Sequence, residues 1–154
     1  MKQLLIILLV LVPFAAKAQS YLQIGPAVYP MSAWGGEAVA DFKIIGGNTG
    51  LSMGIGAMAF ASASKTHDEP DAGKRVNEFY AAPQVSVRYG FSERFNIYLR
   101  GGAGWLGDKK KGADLNNKFL FNAEAGLGLS LSRHVGLYLE GGLPFSSLGL
   151  RFAL

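Results

Sequence analysis

The chain ends Ser147-Leu148-Gly149-Leu150-Arg151-Phe152-Ala153-Leu154. Every second residue of this stretch is large and apolar (Leu148, Leu150, Phe152, Leu154), and the residues between are small or charged (Ser147, Gly149, Arg151, Ala153). A β-strand sends successive side chains to opposite faces, so the segment reads as a strand with one apolar face and one polar face. A helix of the same composition would need its apolar residues three and four apart.

Working back from the C-terminus, the same device repeats. Strands are expected over residues 21–29, 37–45, 49–60, 77–90, 95–106, 118–131, 134–143 and 147–154. Short links alternate with long ones. Tight turns are expected at Gly46-Gly47-Asn48, at Ser92-Glu93-Arg94 and at Ser132-Arg133, while polar loops occupy 61–76 and 107–117. Segments of about ten residues with period-two alternation, short turns at one end and long loops at the other, are how a transmembrane β-barrel is written. The fold expected is all-β, an eight-stranded antiparallel up-and-down barrel.

Residues 1–18 stand outside that pattern. Lys2 gives a positive start, residues 4–12 an apolar run, and Ala16-Lys17-Ala18 a small-x-small cleavage site before Gln19. This is the layout of a cleaved export signal, and Pro13 interrupts a run already too short to span a bilayer as a helix. Residues 19–154 are then expected to form one barrel domain. Lys and Arg number 15 against 11 Asp and Glu, but Lys2 and Lys17 leave with the signal, so the remaining charge is only about +2. That balance gives no support to a nucleic-acid partner. Cysteine is absent, which removes disulfides and thiolate chemistry, so an exported chain must gain its stability elsewhere. Closing a barrel does so by pairing the backbone groups of every strand.

The apolar face of the later strands is expected to point outward. It comprises Phe79, Ala81, Pro83, Val85, Val87 and Tyr89, then Phe95, Ile97, Leu99, Ala103 and Trp105. Phe119, Phe121, Ala123, Leu127 and Leu129 continue it, followed by Val135, Leu137 and Leu139. Pro83 lacks the N–H that a ladder needs and predicts a bulge or break in the fourth strand. Aromatics fall near strand ends. Phe79, Trp105, Phe119 and Trp34 are placed at one boundary of the apolar band, and Tyr89, Phe91, Phe95 and Phe152 at the other, as in the aromatic girdles of membrane barrels.

The opposite face carries Asp41, Lys43, Glu78, Arg88, Arg100, Glu124, Glu140 and Arg151. Four acids and four bases within a narrow barrel predict a paired charge network that fills the interior. A symmetric turn at Ser132 would set Glu124 beside Glu140, with Arg100 and Arg151 in reach. Paired carboxylates also serve acid–base chemistry, but a filled interior is the preferred reading and no catalytic residue is assigned.

Other chemical motifs are weak. Gly54-Ile55-Gly56 and Gly102-Ala103-Gly104 imitate nucleotide-binding fingerprints, yet no helical pattern follows either. Inward glycines are expected instead to make room for large interior side chains. His67 and His134 lack the convergent partners that a metal or a proton-transfer site needs, so neither a metal nor a cofactor is expected. No Ser, His and acid arrangement supports a lipase or deacylase. Lys109, Lys110 and Lys111 in the loop 107–117 form a basic cluster suited to lipopolysaccharide phosphates.

The export signal, the eight alternating segments, the alternation of turns and loops, and the ending Leu150-Arg151-Phe152-Ala153-Leu154 resemble the small outer-membrane barrels of the OmpA and OmpX type. The resemblance implies an integral protein of a Gram-negative outer membrane, inserted by the barrel assembly machinery, which reads an aromatic-bearing last strand; Phe152 is the matching aromatic. It implies a monomer in contact with outer-membrane lipids and lipopolysaccharide. The function expected is non-enzymatic, structural or surface-interacting through the long loops. A small pore, or a soluble lipocalin-like carrier with the faces inverted, are the alternatives.

Overall fold

Residues of alternating character become strands because each face meets a different environment while the backbone pairs sideways. The computed structural model describes residues 20–29, 33–65, 75–110 and 116–154. Eight strands run through them: β1 Tyr21–Tyr29, β2 Ala33–Gly46, β3 Gly50–Lys65, β4 Arg75–Gly90, β5 Phe95–Lys110, β6 Asn116–Ser130, β7 Val135–Leu143 and β8 Ser146–Ala153. Each pairs antiparallel with its neighbour in sequence, and β1 closes on β8, so the sheet is a barrel without a free edge.

Strands β3, β4 and β5 are 16 residues long and β7 and β8 only 9 and 8. Several expected loop residues belong to strands. The β3–β4 ladder continues through Ala61↔Phe79 to Lys65↔Arg75, and β5 extends to Lys110. Backbone pairing is indifferent to side-chain polarity, so the ladder runs past the point where apolar alternation stops.

The three short turns lie at one end of the barrel. The β4–β5 and β6–β7 turns share one design: Ser92 Oγ accepts from the N–H groups of Arg94 and Phe95, and Ser132 Oγ from those of His134 and Val135, at 3.1–3.3 Å. A serine hydroxyl bonding two and three residues ahead holds such a turn closed. Between β2 and β3, Gly46 and Gly50 take positive φ values of 102° and 78°, where a side chain would be strained.

The expected irregularity in β4 is a local break in pairing and not a bulge. The β3–β4 register passes through Ala57↔Pro83 without a shift, and the register slip lies in β2, between Lys43 and Ile45. The extra residue there is Ile44, and Ile44 and Ile45 both point outward. Proline acts more locally. The β4–β5 ladder passes from Ala81↔Trp105 to Gln84↔Gly102, and the β1–β8 ladder from Ile24↔Leu150 to Ala27↔Ser147. Pro83 and Pro26 sit in those gaps, each missing the N–H that would bond across while its register holds.

Candidate functional site

Polar residues gather inside because the outer face is apolar. Phe121, Leu143, Leu99 and Val85 are 73%, 77%, 63% and 63% exposed on the outside, whereas Arg100, Glu124 and Glu140 are buried. The lumen has three layers.

The central layer is built on Arg100 of β5. Its Nε donates to Glu124 Oε2 at 2.9 Å, its Nη1 to Gln23 Oε1 at 2.8 Å, and its Nη2 to Glu140 Oε1. Glu37 of β2 stands 3.6 Å from the same Nη2. The Tyr98 hydroxyl donates to Glu140 Oε2 at 2.7 Å, and Asn122 Nδ2 to Glu124 Oε1 at 3.1 Å. The Ser147 hydroxyl lies between Glu37 Oε1 and Glu140 Oε1, at 3.1 and 2.9 Å, and donates to one of them at a time. One guanidinium thus organises three carboxylates from β2, β6 and β7.

Towards the long-strand end the lumen is closed by aromatic rings. Phe145, in the link between β7 and β8, folds inward and is fully buried. Its ring centroid lies 5.0 Å from Phe60, 4.9 Å from Tyr80 and 5.2 Å from Tyr29, within the range where ring pairs add to area burial. The Tyr80 hydroxyl donates to Asn122 Oδ1 at 2.9 Å and ties this layer to the central one.

Towards the short-turn end, Arg88 Nη2 donates to Asp41 Oδ2 at 2.9 Å, and Ser86 Oγ donates to Asp41 Oδ1 at the same distance. Arg151 Nη1 donates to Asn96 Oδ1 at 3.0 Å. Both guanidinium groups lie over the Tyr21 ring, at 4.3 and 3.6 Å from its centroid. Glycines create the space: a Cβ at Gly126 would meet the Tyr98 ring, and one at Gly128 would meet Arg151 Nη1.

The eight charges expected as one network are therefore divided. Arg100, Glu124 and Glu140 share the centre, and Asp41 and Arg88 pair below it. Glu124 and Glu140 are offset by two residues, with Glu124 opposite Gly142 and Glu140 opposite Gly126, so Arg100 rather than direct pairing joins them. Arg151 does not reach these carboxylates. Lys43, next to the bulge, turns to the β2–β3 link and donates to Asn48 Oδ1 at 2.8 Å. Glu78, partly buried, accepts from Ser62 Oγ at 2.8 Å, separate from the central layer. Glu37 was missed, although it shares the period-two face of Asp41; Gln23 and Ser147 carry no charge that would have marked them.

Of the expected girdle residues, Phe79, Tyr89, Phe91, Phe95, Trp105 and Phe119 are exposed on the outer face, as is Trp34, and Phe152 is half-buried. They cluster at both ends: Phe91 packs on Tyr89 and Phe95 at 5.0 and 5.7 Å, and Trp105 packs on Phe119 at 5.6 Å. Lys109 and Lys110 end β5, while Lys111 and His67 lie outside the described residues. His134 is exposed in its turn, and no group of potential metal ligands occurs among the described residues. No protein-family model matches the chain, and the search among curated proteins found no match.

Proposed function

We propose that this chain is an integral outer-membrane protein of a Gram-negative bacterium, without enzymatic activity, that acts as a closed barrel displaying the links of its long-strand end. The observation that carries the reading is the outer surface. A soluble monomer rarely exposes contiguous apolar patches beyond a few hundred Å². Here the outward positions of neighbouring strands are Val85 and Val87, Leu99, Phe121, Leu127 and Leu139, all exposed, with aromatics towards either end. Bilayer hydrocarbon is the environment that such a face fits. In this setting the short turns face the periplasm and the basic stretch at Lys109, Lys110 and Lys111 stands near lipopolysaccharide phosphates.

The soluble-carrier alternative is disfavoured because its apolar face would have to line the lumen. The interior instead holds Arg100 with its carboxylates, and Phe145, Phe60 and Tyr80 fill the space above them. The same two layers weigh against a pore.

The test is fractionation combined with gel mobility. The protein should remain in the membrane pellet after alkaline carbonate washing, and should migrate faster unboiled than boiled, since a closed barrel resists detergent until heated. Release into the soluble fraction would overturn the proposal.

A further inference from the structure

The two arginines of the short-turn layer have donors that the Arg88–Asp41 ion pair and the Arg151–Asn96 hydrogen bond leave unused. Arg151 is 3% exposed and Arg88 8% exposed. Nε of Arg88, and Nε and Nη2 of Arg151, are buried without a hydrogen-bond partner among the described residues, while the Tyr21 side chain also engages the Arg151 guanidinium. Leaving a buried N–H unmet costs free energy, and more when the group is charged, so such donors call for an acceptor. Among the described residues Asp41 is the one carboxylate bonded to either group, and it is already held by Arg88 and Ser86.

Space for an acceptor lies beside Arg151. Arg151 lines a recess of about 10 Å³, bounded by Tyr21, Ser130 and Ser132 and by Arg133 and His134 of the turn. The recess adjoins a wider depression of about 530 Å³ at the barrel mouth, whose wall includes Arg94 and Arg133 with Glu93 as its acid. The narrow part holds about one oxygen atom, and the wide part lies within the usual range of small-molecule sites.

We infer that the short-turn mouth of the barrel binds a phosphate ester, with one phosphoryl oxygen entering the recess to accept from Arg151 and the organic part remaining in the depression. A phosphoryl group offers several acceptor oxygens and a charge that matches closely spaced guanidinium forks. Arg88, whose guanidinium lies over the same Tyr21 ring, adds positive potential, and Arg133 and Arg94 draw the anion to the mouth. The phosphate could belong to a free ester or to a phospholipid headgroup, because both present the same oxygens. The inference needs the closed barrel and does not depend on the membrane reading.

The test observes the guanidinium Nε–H resonances of the ¹⁵N-labelled protein in a phosphate-free detergent. Glycerol phosphate and a short-chain phosphatidylglycerol are titrated separately, with sodium chloride at matched ionic strength as the control. Saturable shifts of the Arg88 and Arg151 signals are expected. Shifts with both probes identify a site that reads the phosphate itself, and shifts with the lipid alone identify a headgroup site. Arg151→Gln should weaken binding by about tenfold or more. Should that variant fail to give the heat-shifted gel band of a folded barrel, Arg133→Ala at the exposed rim should still weaken binding several-fold. Unmoved signals with both probes, equal shifts with sodium chloride, or unchanged binding in the folded variants would overturn the inference.

Discussion

At Arg100 the structure concentrates its largest electrostatic commitment. Removing one partner of a buried ion pair leaves the others uncompensated, at a cost of about 3–5 kcal/mol, and here three carboxylates would be left. Arg100→Met should therefore lower the unfolding free energy of the barrel, from urea titration in lipid vesicles, by an amount in that range. Glu124→Gln should cost less, because Arg100 retains Glu140 and Glu37. On the outer face, Leu99→Arg tests the environment directly. A charge at mid-bilayer costs a membrane barrel about 2–4 kcal/mol, whereas a water-exposed substitution changes stability by no more than about 0.5 kcal/mol. A folded Leu99→Arg protein with unchanged midpoint would contradict the membrane reading. At this scale the sequence was informative about side: Arg100, Glu124 and Glu140 follow from alternation alone. It was silent about partners, since which carboxylate meets Arg100 depends on stagger between strands, and no single strand encodes that.

Among the elements, the bulge at Ile44 and the continuous ladder of β4 behave oppositely towards a change of one residue. Deleting Ile44 removes the unpaired position, leaves Lys43 opposite Gly54 and Ile45 opposite Met53, and so keeps every downstream face. That deletion should preserve the heat-shifted gel band. Inserting one alanine between Val85 and Ser86 should abolish it. The insertion would reverse the faces on one side of it, sending either Ser86 and Arg88 or Val85 and Pro83 to the wrong environment. Eight strands and three short turns were legible because alternation and Gly, Ser and Asn punctuation coincide there. The break in pairing at Pro83 was legible because a missing N–H is visible in sequence, whereas the bulge in β2 was not, because an extra isoleucine beside Ile45 leaves no chemical mark. Upper strand ends were hidden for a related reason: Arg75↔Lys65 pairs through the backbone while its side chains look like loop.

For the molecule as a whole, three layers stacked along one lumen mean that no single side chain controls passage. In planar bilayers the protein should give no discrete conductance steps, and Phe145→Ala should give none either, because the Arg100 layer remains beneath. Stepwise currents from the unaltered protein would overturn the filled-lumen reading. Phe145 illustrates what whole-chain reasoning missed: it lies in a short link, outside every alternating segment, and only closure of β1 on β8 brings it over the lumen. The unequal strands carry one more consequence. Since the short turns share one end, a strand of 16 residues and one of 8 or 9 differ in reach at the other, by roughly 20 Å along a tilted barrel axis. In a bilayer the β7–β8 side would then barely reach across the hydrocarbon while the β3–β5 side overshoots it. If the protein is set in lipid as proposed, the bilayer would be thinnest on the β7–β8 flank, which would give the barrel a preferred lean and make that flank the place where neighbouring membrane proteins relieve the deformation by settling against it.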